Sequence, residues 1–301
     1  MKKISVLSIL FIVSLTLIAC SSDDEEADER EKFTYESEEG DVEVYESPER
    51  VVVLSAFLTG HVLAADGNVV GAPNWDFMNE TYESYLEDTT EISEDDVEGI
   101  VELEPDLILA QPDTANLDQL REIAPTVVFT YGNLDYLEQY EEVATLLGEE
   151  EEAETWIEDF QSEAQAMGED IKDKHGEDTS VSVIESYEKE LYVYGDNWGR
   201  GTEILYQEMD LEMPEKVRED ALEPGYYTIS SEVVADYMGD FVVLSEHTDA
   251  DTSFEDTSTF QSTDAYQNDQ ILEVDGTAFS YNDPLTLEWQ LETFEDFFLN
   301  D

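Results

Sequence analysis

The chain is 301 residues long, enough for two domains of ordinary size, and 41% of it is apolar, so it can bury real cores and is no disordered acidic tail. Its 78 acidic residues against 12 lysines and arginines give a formal charge of −66, which repels nucleic acid and anionic lipid heads and excludes both as partners of its surface. The acids are spread along the whole chain rather than clustered, so they read as a solvated face suited to a salty or alkaline exterior; a halophilic habit predicts stability that rises with added salt.

At the start, Lys2 and Lys3 precede an apolar stretch over residues 4–19. That stretch is shorter than the roughly 20 residues of a spanning helix, so residues 1–19 read as a secretion signal. The ending Leu17-Ile18-Ala19-Cys20 resembles the lipobox of bacterial lipoprotein signals, in which Cys20 becomes a lipid-carrying N-terminus at the cell membrane. Because Cys20 is the only cysteine, no disulfide can form within the chain. Residues 20–40 are charged and lack apolar periodicity, and are expected to form a disordered acidic tether.

Short β-branched runs then recur at 42–45, 50–55, 68–72, 106–110 and 126–130, with helical patterns between them. One of these helices, over 93–103, takes Ser93 as its N-cap and stops before Pro105. Buried strands alternating with helices predict an α/β lobe over 41–148 with a mostly parallel sheet. A helix over 149–175 follows, with Ala153, Trp156, Ile157, Phe160, Ala164, Met167 and Ile171 along one face. At 1.5 Å per residue it would span about 39 Å, enough to pass from one lobe to another. A second series of strands, at 180–186, 191–195, 226–230, 241–245 and 271–274, predicts a C-terminal α/β lobe over 176–301. It closes with a helix capped by Asp283, with Pro284 in the first turn and Leu287, Leu291, Phe294 and Phe298 at helical spacing.

The segments "PERVVVLS", "VEGIVELEPDLIL", "LREIAPTVVFTYGN", "YVYGDNWGRGTEILYQ", "MPEKV" and "YNDPLTLEWQLETFEDFF" occur in order from about Ser47 to the C-terminus. Together they resemble the siderophore-binding lipoproteins of Gram-positive iron ABC importers, especially the ferric hydroxamate binders. The resemblance implies a class III substrate-binding protein: two Rossmann-like three-layer lobes joined by one long helix, with ligand in the cleft between them; a single stiff helix also predicts little lobe rotation on binding. It also implies a lipid-anchored extracellular monomer that binds a ferric siderophore, uses no cofactor, and delivers its cargo to an ABC permease and its ATPase.

Within "GDNWGRG", Gly199 and Gly201 permit close backbone approach before a helix near Thr202, and this would set Trp198 and Arg200 at the cleft edge. Arginine offers a planar fork of donors for hydroxamate oxygens already bound to iron, without competing as a metal ligand. The aromatic positions matching the family's cleft are Tyr192, Tyr131 and Tyr281, with Phe57 after the first-lobe strand. Tyrosine gives a broad apolar face and a donating hydroxyl. Glu98 and Glu232 match the positions from which similar proteins dock arginines of the permease, one on each lobe.

Charge ranks the ligands. Ferric triscatecholates carry about three negative charges and would need several cationic partners. Arg200 is nearly alone here, so hydroxamate ranks first, mixed hydroxamate-carboxylate second and catecholate third. Haem or cobalamin, and a structural or adhesive surface lipoprotein, are the alternatives. No nucleophile elbow, P-loop, dinucleotide fingerprint or H-E-x-x-H motif supports an enzyme. His61, His175 and His247 show no pair at metal-ligand spacing, so iron is expected to be held by the siderophore alone. His61 is expected near a helix start at the cleft, as a cap, a surface residue or a ligand contact.

Overall fold

A computed structural model describes residues 30–248 and 250–300; the expected secretion signal, the expected lipidation site Cys20 and the first part of the expected tether lie outside the described residues. The described chain opens with an antiparallel hairpin, β1 (Lys32–Ser37) and β2 (Gly40–Tyr45). Residues 32–40, expected in the tether, are thus structured, because Tyr35 and Val44 bury themselves in the first-lobe core and the Tyr35 hydroxyl donates to Glu142 at 2.7 Å. Phe33 and Tyr35 alone were too few to register as periodicity among so many acids.

The first lobe continues with β3 (Val51–Val53), α1 (Ala56–Ala64), β4 (Val69–Ala72), β5 (Thr90–Glu91), α2 (Val97–Glu102), β6 (Leu107–Ala110), α3 (Leu117–Ile123), β7 (Thr126–Val128) and α4 (Tyr136–Leu147). Its sheet has the order β5-β4-β3-β6-β7, with every pair parallel. Strands buried on both faces, such as the all-buried β3 and β6, are what such a sheet requires. Helix α2 starts at Val97 rather than Ser93: the Asp96 carboxylate accepts the Gly99 N–H at 2.9 Å and takes the cap, while Ser93 opens the preceding turn.

Helix α5 (Glu150–His175) carries three glutamates in its first turn and Lys172, Lys174 and His175 in its last, matching the helix dipole at both ends. Its N-terminal half packs Ala153 and Trp156 into the first-lobe core, and Phe160, Ala164, Met167 and Ile171 join the second. Trp156 stacks on Phe160 at 4.9 Å and meets Tyr140 edge-on at 5.4 Å, so one side chain ties both cores to the helix.

The second lobe comprises β8 (Val181–Tyr187), β9 (Glu190–Tyr194), α6 (Glu215–Ala221), β10 (Tyr226–Ile229), β11 (Phe241–Glu246), α7 (Ser258–Gln261), α8 (Asp264–Gln267), β12 (Ile271–Asp275) and α9 (Pro284–Leu299), with a six-residue π-helical segment, Glu203–Glu208, after the arginine loop. Its sheet order is β10-β9-β8-β11-β12. Only β8, β11 and β12 are parallel; β9 runs against β8, and β10 against β9. The two residues between β8 and β9 leave room for a hairpin but not for a crossover helix, so this half of the sheet reverses direction.

Asp283 caps α9 as expected, its carboxylate accepting the Leu285 and Thr286 N–H groups at 3.1 and 3.2 Å. The same carboxylate accepts the Tyr82 hydroxyl of the first lobe at 2.5 Å, so α9 closes back on the lobe that α5 left. The lobes are therefore held by two helices.

Candidate functional site

The loop Gly199-Arg200-Gly201 has three consecutive positive φ angles, 67°, 58° and 79°. A Cβ at Gly199 would lie 2.2 Å from the Ser280 carbonyl oxygen, so only glycine lets the loop press against the segment before α9. Arg200 accepts a conformation that costs an L-residue about 1–2 kcal/mol. Its own N–H donates to the Phe279 carbonyl at 2.8 Å, which helps hold the loop. Gly225 makes a similar allowance, since any Cβ there would overlap the Trp198 ring.

These constraints aim Trp198 and Arg200 into an open cavity of about 680 Å³ between the lobes. The six aromatic and basic residues singled out from the sequence, Phe57, Tyr131, Tyr192, Trp198, Arg200 and Tyr281, all line it. Their rings form a chain across the cleft: Phe57 lies 4.7 Å from Tyr131, Tyr131 5.7 Å from Trp198, Trp198 5.2 Å from Tyr226, and Tyr226 6.1 Å from Tyr192. Tyr281 adds a wall 6.3 Å from Phe57. No hydrogen bond to another described residue engages the hydroxyls of Tyr131, Tyr192 or Tyr281. Burial, helped by the Glu203 charge, pushes Tyr131 up to about 12, and burial raises Tyr192 and Tyr281 as well, so all three remain protonated donors near neutral pH.

Arg200 is not left facing ligand alone. Its Nε donates to Glu185 Oε2 at 2.8 Å and its second terminal nitrogen to Glu185 Oε1 at 3.2 Å, a bidentate pair; the first terminal nitrogen donates to the Trp198 carbonyl at 2.8 Å. The guanidinium also lies 4.6 Å from the Tyr194 ring centroid. Three of five N–H groups are thereby spent on positioning, leaving two for the cavity. Burial alone would raise Glu185, but the His247 hydrogen bond and the Arg200 charge outweigh it and hold the carboxyl at about 2. His247 Nε2 stands 3.3 Å from Glu185 Oε2 and the ring meets Tyr187 edge-on at 4.8 Å.

Glu185, His247, Tyr226, Trp75 and Gln111 belong to the cavity lining and were missed in the sequence. Glu185 had a signal: it is the one acid within an otherwise uncharged, buried strand. His247 directly follows β11, and ligand crevices open beyond the carboxyl ends of parallel strands. His61 departs from every role expected of it. It is wholly buried inside α1, its Nε2 lies 2.8 Å from Gln139 Nε2, and burial pushes it down to about 3, so it is a neutral core residue. His175 ends α5, with Nε2 2.8 Å from the Phe298 carbonyl. Among the described residues, no group of three or more His, Cys, Asp or Glu is placed to hold a metal ion. Glu98, in the first turn of α2, and Glu232, in the turn after β10, are both exposed, one on each lobe.

The comparisons with known proteins agree with this geometry. The periplasmic binding protein family model matches residues 51–278. The iron(3+)-hydroxamate-binding protein FhuD of Bacillus subtilis is 31% identical over 97% of this chain and 96% of its own length, and YxeB of the same organism, with the same description, is 28% identical over 98% and 96%. Among solved structures, FhuD from S. pseudintermedius superposes with a TM-score of 0.81 at 32% identity, covering 89% of this chain and 98% of that one. FhuD2 from Staphylococcus aureus with bound ferrioxamine B gives 0.79 at 28% identity, over 84% and 98%. An aromatic cavity between two α/β lobes, a bridging helix, and matches running almost the length of these relatives place this chain in the periplasmic binding protein family, among relatives that bind ferric hydroxamates.

Proposed function

We propose that this protein captures a ferric hydroxamate siderophore in the cavity between its lobes and, anchored outside the cell membrane through lipidated Cys20, delivers it to an ABC permease and its ATPase. It acts as a monomeric binding protein and carries out no catalysis. The observation that carries this reading is the charge of the site: the one arginine in the cavity is already matched by the buried carboxylate of Glu185. A pair of nearly zero net charge under aromatic walls suits a neutral or weakly cationic chelate, whereas a trianionic triscatecholate would lose its hydration without cationic partners.

In this reading the two free N–H groups of Arg200 and the tyrosine hydroxyls donate to the iron-bound oxygens. Trp198, Tyr226 and Phe57 cover the apolar chain of the ligand. Glu98 and Glu232, fixed on separate lobes, orient the loaded protein on the permease. Helices α5 and α9 both join the lobes, so closure on ligand is small.

A tryptophan-fluorescence titration of the purified protein in high salt tests the reading, with ferrioxamine, a ferric citrate-hydroxamate, a ferric triscatecholate and cobalamin as ligands. Tight quenching by a hydroxamate that weakens in Arg200→Ala is expected; preference for the catecholate or cobalamin would overturn it.

A further inference from the structure

A second cavity, of about 660 Å³, adjoins the first: Ala56, Phe57, Trp75 and Gln111 line both. Its character is different. Where the first is walled by tyrosines, the second is lined by Glu91, Glu94, Asp96 and Asp113. None of these four carboxylates pairs with a lysine or arginine among the described residues. Asp96 caps α2, and Glu94 accepts the Ala115 N–H at 3.2 Å; both are thus fixed in position. Trp75, 49% exposed, stands at the junction of the two cavities. One further observation points to a ligand. Ser55, 5% exposed, lies in the same wall, and its Oγ has no hydrogen-bond partner.

We infer that this annex is a subsite for a cationic arm of the chelate, a chain ending in a protonated amine that leaves the iron centre past Trp75 and ends among Glu91, Glu94, Asp96 and Asp113. The inference rests on the siderophore reading of the main cavity and extends it to the ligand's periphery. The sign of charge follows from magnitudes. The N-terminus of α1, beside Ser55, contributes about half a positive charge, which favours an acceptor atom such as an amide oxygen of the arm. Four carboxylates outweigh it at the mouth of the annex, where an ammonium ion keeps part of its hydration while the Trp75 face supplies a cation–π contact. An anionic arm would meet like charge there. The annex belongs wholly to the first lobe, so it discriminates between chelates with identical iron coordination.

The test uses two ligands that differ only in the arm: ferrioxamine B, whose chain ends in a primary amine, and its N-acetylated derivative, whose arm is neutral. Affinities are measured by tryptophan quenching at low and high salt. The purified protein should prefer the amine form by about tenfold at low salt, with the preference shrinking as salt rises. In Glu91→Gln/Asp113→Asn, two positions that cap no helix, the preference should fall toward one while affinity for the acetylated form stays unchanged. The control Glu154→Gln/Glu158→Gln removes the same charge from the exposed face of α5 and should keep the preference. Equal affinity for the two ligands in the unmodified protein overturns the inference, as does an equal loss of preference in the control, which would assign it to the general field of an acidic surface. Binding of neither ligand overturns the hydroxamate reading itself, and the inference with it.

Discussion

The two lobes share a plan and differ in what they bring to the cleft. The first, with its all-parallel sheet, contributes Phe57, Trp75, Gln111 and Tyr131, none of them charged. The second, whose sheet is half reversed, contributes the buried Arg200–Glu185 pair, His247 and the remaining tyrosines. The reversal is what makes this possible: β9 runs back beside β8, so Tyr192 and Tyr194 stand next to Glu185 at the same edge. One lobe therefore fixes charge and the other supplies surface, and substitutions in the two should fail differently.

The largest effect is expected at Arg200. Arg200→Ala strands the Glu185 carboxylate, only 3% exposed, without its partner and should destabilise the protein by about 3 kcal/mol or more while abolishing tight binding. Thermal denaturation and titration together check this, and Arg200→Ala/Glu185→Ala should recover stability but not binding. Phe57→Ala in the first lobe should do the reverse: Phe57 is 38% exposed, so stability should change by under about 1 kcal/mol while affinity falls several-fold.

Two buried acids at the cleft side of the molecule, Asp76 in the first lobe and Glu185 in the second, respond to pH in opposite senses. Asp76, in the first lobe, is wholly buried, with only the Thr59 hydroxyl donating to it at 2.6 Å; burial, opposed by that bond and reinforced by the Asp283 charge, pushes it up to about 7. The folded state then holds its proton more tightly than the unfolded chain, so this group makes stability fall as pH rises from about 4 to 7. Glu185, held at about 2, acts in the opposite sense: its contribution is present above the unfolded value of about 4.3 and is lost as pH falls toward 2. Denaturant titrations at pH 4, 5.5 and 7 should show a shallower loss of stability with rising pH in Asp76→Asn than in the unmodified protein. Glu246, pushed to about 7 by burial and Glu255, adds a slope of the same sign to both and cancels in the comparison.

The smallest effect on ligand affinity is expected outside the cleft. Glu98→Ala and Glu232→Ala should leave affinity unchanged and reduce uptake of labelled chelate by cells, since both side chains are exposed and neither lines the cavity. A matching loss of affinity would remove the docking role.

Much of this plan was legible in the sequence because its carriers are local. The apolar face of α5, the Asp283-Pro284 start of α9 and the glycines around Arg200 each announce themselves within a few residues. Features made by partners distant in sequence were not legible. Glu185 is marked only as the one acid of its strand, and its role appears when Arg200, fifteen positions on, folds over it and His247 joins it from the end of β11. The reversal at β9 was missed because Glu188, at a φ of 53°, occupies a turn position that usually advertises itself with Asn or Gly. His61 was misjudged because a histidine among apolar helical positions is decided by its neighbour, here Gln139, which lies 78 residues away.

The central claim is that the Arg200–Glu185 pair sets the charge of the site and thereby the class of chelate. The ratio of affinities for a ferric trihydroxamate and a ferric triscatecholate, measured in the unmodified protein and in Glu185→Gln, tests it most directly. Glutamine keeps the shape and most hydrogen bonds but leaves Arg200 uncompensated, so the ratio should shift toward the catecholate by about tenfold. An unchanged ratio, or a shift toward the hydroxamate, would contradict the account.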